Sequence, residues 1–195
     1  YCSDNGGLVH ETSGGRAKKG SIYEGGLRVP SIVEWPAGRL SGRTTLPTST
    51  SDMMPTLLAM AGIDSSLPHP MDGIDVSAAF TDKLSERDAP IGFWHHFEKG
   101  QSTWSDRILK AIKDKQDAGL PEPHDPPRMQ KDVYDFPKFP DDISKGHAAW
   151  TDWPWKLHRI GGKKYELYNL ANDPMEQNDL AEAESQTERL KEMKA

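Results

Sequence analysis

Seven of the first 26 residues are glycines, and this spacing constrains the fold more than any other feature of the chain. Glycine reaches backbone conformations that other residues rarely adopt, so such a segment forms a succession of turns and not a regular element. Proline adds to the effect, because 17 glycines and 15 prolines occur among the 195 residues. The sequence therefore predicts a loop-rich chain with short regular elements.

The composition excludes several classes of protein. A single cysteine, Cys2, rules out an internal disulfide framework and a multi-cysteine metal site. The net charge of −6 argues against a general nucleic-acid-binding protein. No apolar run approaches the ~20 residues that a membrane-spanning helix needs. Residues 1–5 also lack the basic and apolar regions of a signal peptide.

Hydrophobic periodicity predicts a few short elements between the loops. β-Branched residues between two prolines predict a strand at 31–35, and apolar residues at helical spacing predict a helix from Met53 that Gly62 ends. The other predicted elements are a short helix at 76–81, a strand at 89–97, an amphipathic helix at 104–118, an irregular segment at 120–142, and a terminal helix marked by Leu180, Ala183, Thr187 and Leu190.

A β-hairpin is predicted near the C-terminus. Two alternating runs, 155–160 and 163–170, are separated by Gly161 and Gly162. Two glycines between alternating runs are typical of a two-residue hairpin turn, because glycine readily adopts the positive φ that such turns need.

Two short segments contain side chains suited to a site. Asp4 and Asn5 offer oxygen donors of the kind that Ca²⁺ and Mg²⁺ prefer, directly before two glycines. Lys18 and Lys19 precede Gly20, and a lysine ammonium is a compact charge that binds tetrahedral oxyanions. Taken singly, each segment is more typical of an ordinary solvated turn.

In this order the segments resemble the formylglycine-dependent sulfatases of the alkaline-phosphatase-like superfamily. The motifs that carry the resemblance follow the family order: Ser-Asp-Asn-Gly-Gly at 3–7, Lys-Gly-Ser-Ile-Tyr-Glu-Gly-Gly-Leu-Arg-Val-Pro at 19–30, Ser-Asp-Met-Met-Pro-Thr-Leu-Leu at 51–58, Asp-Gly-Ile-Asp at 72–75 and Tyr-Glu-Leu-Tyr-Asn-Leu at 165–170. The resemblance covers about residues 1–85 and 150–182, whereas residues 98–146 match no family segment.

The resemblance implies an α/β fold in two parts. Residues 1–85 are expected to be the C-terminal part of the catalytic domain, an alkaline-phosphatase-like mixed-sheet sandwich. Residues 86–195 are expected to form a small subdomain of antiparallel sheet and helix. This subdomain would carry a charged, proline-rich insert at 98–146.

The resemblance also implies a sulfuric ester hydrolase site. By family position, Asp4 and Asn5 help to hold a divalent cation, Ca²⁺ or else Mg²⁺, and Lys19 contacts a sulfate oxygen as a catalytic and substrate-binding residue. His10 lies in the spacer and is a weaker candidate for substrate binding, because a lone loop histidine is more often solvated. Glu24 is interpreted as a structural residue that holds the loop.

The family nucleophile is a formylglycine made within a Cys/Ser-x-Pro-x-Arg motif, and the 195 residues contain no such motif. Cys2 is followed by Ser3, so it does not match. We therefore expect the formylglycine to lie upstream, and the 195-residue chain alone to be inactive. The expected substrate is a sulfated small molecule or a sulfated carbohydrate. By analogy with the family, the expected location is the periplasm, the lysosome or the extracellular space.

Two other functions stay open from the sequence. One is a non-catalytic binding or interaction module of sulfatase descent, which would use the insert and four tryptophans: Trp104, Trp150, Trp153 and Trp155. The other is a phosphodiesterase or phosphonate hydrolase of the same superfamily, because sulfate and phosphate sites look alike in this part of the sequence.

Overall fold

The structure of the protein, a computed structural model, describes residues 1–9, 13–38, 40, 42–63, 70–81, 83–95, 104–120 and 146–194. The helices of this part are α1 (Glu24–Leu27), α2 (Met53–Met60), α3 (Trp104–Asp117) and α4 (Thr187–Lys194), and the strands are β1 (Ile91–His95), β2 (His147–Asp152), β3 (Trp155–Ile160) and β4 (Lys164–Asn169). Short 3₁₀ turns lie at Pro36–Gly38, Thr50–Asp52, Ser77–Thr81 and Glu184–Gln186.

The chain divides into two compact units. One contains Tyr1–His95 and His147–Ala195, and the other contains His96–Gly146. The first unit contains the four strands, and the second contains α3. The boundary expected between residues 85 and 86 stays a prediction, as does the role of the insert at 98–146.

The strands form one antiparallel sheet in the order β1-β2-β3-β4. The predicted hairpin is present as β3 and β4, with Ile160 opposite Lys164. Gly161 and Gly162 both have positive φ, at 58° and 71°, and the amide of Lys163 donates to the carbonyl of Ile160 at 3.2 Å. The glycine turn is therefore as predicted, but Lys163 stays outside the ladder and the connection has three residues.

The two faces of the sheet differ in chemistry. Leu157 lies opposite Leu167, and both side chains are buried. The neighbouring residues alternate to the other face, because successive side chains of a strand point to opposite sides. That other face holds four buried polar side chains: Lys156, His158, Glu166 and Tyr168.

The outer edge of β4 is covered by the segment that follows it. The amide of Leu180 donates to the carbonyl of Leu167 at 2.8 Å, and Oδ1 of Asp179 accepts from the amide of Leu167 at 3.0 Å. Covering an edge in this way protects a sheet from pairing with another chain. The predicted start of the terminal helix near Leu180 is therefore wrong, and α4 begins at Thr187.

A second small core lies around α2. Leu46, Val76 and Ala79 are buried together, and the hydroxyl of Thr56 accepts from the amide of Val76 at 3.0 Å. The predicted helix from Met53 is confirmed and ends at Met60. The segment predicted as a helix at 76–81 is a 3₁₀ turn at Ser77–Thr81.

The strand predicted at 31–35 is wrong. Only an isolated bridge between Cys2 and Ser31 occurs there, and Ile32 and Val33 are exposed. Ile32 exchanges backbone hydrogen bonds with Tyr1 at 2.8 and 2.7 Å, but among the described residues the pairing extends no further, so no strand forms.

Two other predicted elements, a strand at 89–97 and a helix at 104–118, are confirmed as β1 and α3, except that residues 96 and 97 lie outside the described ranges. The irregular segment predicted at 120–142 also lies outside them, apart from residue 120. Within the described ranges no helix is both long and apolar enough to cross a membrane.

Candidate active site

The two candidate segments of the sequence meet through backbone hydrogen bonds. The amide of Lys19 donates to the carbonyl of Gly7 at 2.8 Å, and the amide of Gly6 donates to the carbonyl of Gly26 at 2.8 Å. The turn that contains Asp4 and Asn5 therefore lies beside the turn that contains Lys19.

Glycines make this contact possible. A Cβ atom on Gly6 would lie 2.0 Å from the carbonyl oxygen of Gly25, and one on Gly26 would lie 2.1 Å from the carbonyl oxygen of Ser21. Real Cβ atoms do not approach backbone this closely. These glycines thus allow three stretches of backbone to lie directly against one another, at residues 6–7, 18–21 and 25–26.

Lys18 and Lys19 are both exposed. Gly20 follows them with φ +85°, and the amide of Ser21 donates to the carbonyl of Lys18 at 3.1 Å, which closes the turn. Among the residues that the structure describes, no carboxylate pairs with either ammonium group. Both lysines are therefore accessible to an anion from solvent.

The candidate cation ligands lie on the preceding turn. Asp4 is exposed and Asn5 is half-buried. The side-chain nitrogen of Asn5 donates to the carbonyl of Gly6 at 2.8 Å, so a cation would be held by the oxygen of that amide. A carboxylate and an amide oxygen are the donor types that Ca²⁺ prefers, but Ca²⁺ takes about six to eight oxygen ligands. This pair fits part of such a site.

The geometry alone does not establish the cation site. Within the described part of the chain, no group of three or more His, Cys, Asp or Glu side chains is arranged to hold a metal ion. His10 lies outside the described residues. The assignments of Lys19, Asp4 and Asn5 likewise stay predictions.

Behind these turns lies a buried cluster of charged groups. Nζ of Lys156 lies 2.7 Å from Oε1 of Glu24 and 3.1 Å from Oε1 of Glu176. The other carboxylate oxygen of Glu176 accepts from the amide of Glu24 at 2.6 Å. The pKa of Glu176 lies below its ordinary value, because hydrogen bonds and the charge of Lys156 outweigh the effect of burial.

Two histidines extend the cluster. Nε2 of His158 lies 2.8 Å from Oε1 of Glu176, and Nδ1 of His158 lies 2.8 Å from Nε2 of His147. An ionised carboxylate can only accept, so Nε2 of His158 carries the hydrogen. In the neutral ring, Nδ1 then accepts from His147. Burial lowers the pKa of His158, which keeps this ring neutral at pH 7.

A second carboxylate on the same sheet face, that of Glu166, is hydrogen-bonded to Tyr23, the residue before α1. Oε2 of Glu166 accepts from the hydroxyls of Tyr23 at 2.7 Å and Tyr168 at 2.9 Å, and Oε1 accepts from Lys164 at 2.6 Å. Burial opposes ionisation, but these donors lower the pKa of Glu166 to about 2. The guanidinium of Arg16 stacks 4.0 Å above the ring of Tyr23.

Sequence reasoning identified Glu24 as a loop-holding residue, and the structure shows its carboxylate on Lys156. It missed Lys156, His158 and Glu176. The available signal was the alternation within the hairpin, where Lys156 and His158 share a face with Glu166. Polar residues on one strand face are typical of a solvated surface, so their burial could not be inferred from that pattern alone.

Comparison with known proteins identifies relatives of the chain. Residues 1–63 match the family model described as Sulfatase. Over 197 aligned positions the chain is 32% identical to a sulfatase of Formosa agariphila, and the match covers 95% of this chain and 29% of that protein.

Two solved structures share the fold. Ps i-CgsB in complex with k-i-k-neocarrahexaose matches 98% of this chain and 33% of that chain, with a TM-score of 0.63 and 24% identity. Phosphonate monoester hydrolase of Agrobacterium radiobacter matches 91% of this chain and 30% of that chain, with a TM-score of 0.52 and 21% identity.

The fold is thus an α/β fold of the alkaline-phosphatase-like type, as predicted. The sequence matches point to sulfatases: residues 1–63 match the Sulfatase family model, and the chain as a whole is similar to a sulfatase. The chain spans about a third of the length of these relatives.

Proposed function

We propose that this chain is the part of a sulfuric ester hydrolase that supplies Lys19 to the sulfate group and Asp4 and Asn5 to a divalent cation. The observation that carries the proposal is the 2.8 Å hydrogen bond from the amide of Lys19 to the carbonyl of Gly7, which places the cationic turn beside the turn of oxygen donors. The match of residues 1–63 to the Sulfatase family model and the similarity to a sulfatase of Formosa agariphila support the same assignment.

Lys19 acts by electrostatics. Its ammonium neutralises negative charge on the sulfuryl oxygens and on the leaving oxygen as the ester bond breaks, and a preorganised charge of this kind is often a large contribution to catalysis. Asp4 and Asn5 orient a bound Ca²⁺ or Mg²⁺, which supplies Lewis-acid charge stabilisation when present. The formylglycine nucleophile belongs, in this proposal, to a segment outside the 195 residues.

The substrate that we propose is a sulfated carbohydrate, and the alternative is a sulfated small molecule. The complex of Ps i-CgsB with k-i-k-neocarrahexaose supports a saccharide. The exposure of Lys18 and Lys19 supports access by a large ligand. We also propose an exported location, by analogy with the family, and cell fractionation of the producing organism checks it.

The test uses the full-length protein that contains this chain. Lys19→Ala is expected to lower kcat/KM for an aryl sulfate by about 10²–10³-fold, the cost of removing one transition-state donor. Lys18→Ala is the matched control, because Lys18 is an equally exposed neighbour, and it should change kcat/KM little. Equal losses in both variants, or none in Lys19→Ala, would contradict the assignment.

The cation ligands have their own test. Asp4→Ala should weaken the dependence of hydrolysis on added Ca²⁺, so that more metal is needed for half-maximal rate. Binding of Ca²⁺ measured by calorimetry provides a readout that does not depend on turnover. An unchanged affinity for Ca²⁺ in Asp4→Ala would remove Asp4 from the site.

Two other functions have some support. The shared fold with a phosphonate monoester hydrolase favours phosphorus esters as substrates, and parallel assays on aryl sulfates, phosphate diesters and phosphonate monoesters separate these activities. The exposed rings of Trp150 and Trp153 favour a binding module. Saccharide binding without hydrolysis by the full-length protein would favour that module.

A further inference from the structure

We infer that Lys156 and Glu176 are positioning residues for Lys19, and that they act through helix α1. The inference rests on the proposed role of Lys19. Both residues lie in the C-terminal part of the chain, 132 and 152 positions beyond Glu24, which they contact. Neither reaches the exposed turn itself, so their effect on an anion there would be indirect.

These two side chains hold Glu24 at two points. Nζ of Lys156 donates to the carboxylate of Glu24 at 2.7 Å, and the carboxylate of Glu176 accepts from the backbone amide of Glu24 at 2.6 Å. A third link joins Lys156 to Glu176 at 3.1 Å, so the three residues close a ring of charged contacts. Two separate attachments fix both the position and the rotation of a four-residue helix.

Burial makes this arrangement specific. The side chains of Lys156 and Glu176 are both 0% exposed. A buried charge without partners is strongly unfavourable, whereas a fully paired network favours one geometry over alternatives. Both carboxylate oxygens of Glu176 are used. Oε2 accepts from the amide of Glu24, and Oε1 contacts Lys156 and accepts from His158 at 2.8 Å. A displaced α1 would leave Lys156 and Glu176 partly unpaired.

The position of α1 is passed on to the site through backbone contacts. Gly25 and Gly26 follow Glu24 directly, and the carbonyl of Gly26 accepts from the amide of Gly6 at 2.8 Å. A Cβ on Gly26 would lie 2.8 Å from the carbonyl oxygen of Lys18, so the helix and the lysine turn are in direct contact. Because these backbone segments are in direct contact, movement of α1 displaces both the turn that contains Asp4 and the turn that contains Lys19.

The expected effect is sizeable. Displacement of a catalytic group by about 1 Å can cost about 10²-fold in rate. We therefore expect Lys156→Met to lower kcat/KM of the full-length protein for an aryl sulfate by about 10–100-fold. Lys164→Met is the matched control. Lys164 also pairs with a buried glutamate, Glu166, but that carboxylate keeps its other donors, so the loop should stay in place.

A double-mutant cycle separates positioning from a general effect on folding. If Lys156 acts through Lys19, Lys156→Met should have less than about a twofold effect on kcat/KM in a Lys19→Ala background. A merely structural role would reduce the amount of active enzyme by the same factor in both backgrounds. Equal losses with and without Lys19 would therefore overturn the inference.

Glu24→Gln is a milder second variant, because the amide keeps an oxygen that Lys156 can donate to while the negative charge is removed. Hydrogen exchange of this variant should be about tenfold faster at residues 15–28 than in the parent, with unchanged exchange in β3 and β4. Lys164→Met should leave residues 15–28 unchanged. Uniform acceleration, or none, would contradict a specific hold on the loop.

The outcomes also distinguish this inference from the proposed function. Loss of activity in Lys19→Ala, without specific exchange or coupling effects in Lys156→Met or Glu24→Gln, keeps the proposed function and rejects positioning. Faster exchange at residues 15–28 together with full activity of Lys19→Ala rejects the proposed role of Lys19 and, with it, positioning for catalysis.

Discussion

Nε2 of His158 lies 2.8 Å from Oε1 of Glu176, and both side chains are fully buried. Burial lowers the pKa of His158 from its ordinary value of 6.5, and the charge of Lys156 adds to this, while the hydrogen bond to Glu176 opposes it. The unfolded chain therefore binds a proton at His158 more readily than the folded chain does. Stability should decrease as pH falls below about 6.5, towards the pKa of the folded state.

The variant His158→Gln tests this pH dependence. A glutamine amide can donate to Glu176 but does not titrate, so the free energy of unfolding should change less between pH 7 and pH 5 than in the parent. The carboxylates of Glu176 and Glu166 do not interfere in this range, because their pKa values are lowered from 4.5. Urea unfolding at several pH values measures the effect, and parallel pH profiles for the two proteins would contradict it.

The hydroxyl of Tyr23 should support the ionised form of Glu166. With a pKa lowered to about 2, Glu166 contributes stability that is present above pH 4.5 and is lost as pH falls towards 2. Tyr23→Phe removes a 2.7 Å hydrogen bond, so it should raise the pKa of Glu166 and shift acid unfolding to higher pH. At pH 7 the expected loss of stability is about 1.5–3 kcal/mol, typical of a hydrogen bond to a charged group.

Tyr165→Phe provides the control for that measurement. Tyr165 lies next to Glu166 on β4, but its hydroxyl makes no hydrogen bond among the described residues. Acid unfolding followed by circular dichroism should therefore be unchanged in Tyr165→Phe. A similar shift in both variants would assign the effect to general loss of packing.

The sequence allowed the local elements of the fold to be predicted. The hairpin of β3 and β4 and the helix α2 follow from patterns within a few residues, namely a glycine pair between alternating runs and apolar residues at helical spacing. Strand β2 was not predicted, because Ala148 and Ala149 have weak strand preference and the strand depends on pairing with β1 and β3.

The candidate site divides in the same way. The order of the family motifs predicted that Asp4, Asn5 and Lys19 belong to one site. The burial of Lys156 was not, because its partner Glu24 lies 132 residues away and nothing local distinguishes it from a solvated strand lysine. Long-range charge pairing of this kind becomes visible only once the chain is folded.

Asp52 and Arg87 should form a strong stabilising pair outside the site. The guanidinium of Arg87 makes two hydrogen bonds with the carboxylate of Asp52, at 2.7 and 2.9 Å, and both side chains are buried. The same carboxylate accepts from the amides of Ser49 and Ile74. Asp52→Asn leaves the charge of Arg87 without its partner, so we expect a loss of about 3–5 kcal/mol.

Ser49→Ala is a suitable comparison for Asp52→Asn. The hydroxyl of Ser49 accepts from the amide of Ser51 at 3.2 Å, so its removal costs a cap interaction of about 1 kcal/mol and leaves the ion pair intact. Denaturant unfolding of the full-length protein measures both. Equal losses would mean that Asp52 contributes as a helix cap and not as the partner of Arg87.

Gly6 should be required for the geometry of the site, and Gly14 should not. A Cβ on Gly6 would lie 2.0 Å from the carbonyl oxygen of Gly25, so Gly6→Ala must move backbone and separate the Asp4 turn from α1. Gly14 has φ +70°, and a Cβ there would meet no atom within 4 Å, so Gly14→Ala costs only the conformational strain of about 1–2 kcal/mol. In the full-length protein, kcat/KM for an aryl sulfate should fall by about 100-fold in Gly6→Ala, while folded Gly14→Ala stays near the parent. If Gly14→Ala loses as much activity as Gly6→Ala, then strain anywhere in the glycine-rich segment is sufficient, and the close contact between Gly6 and Gly25 is not what places the site.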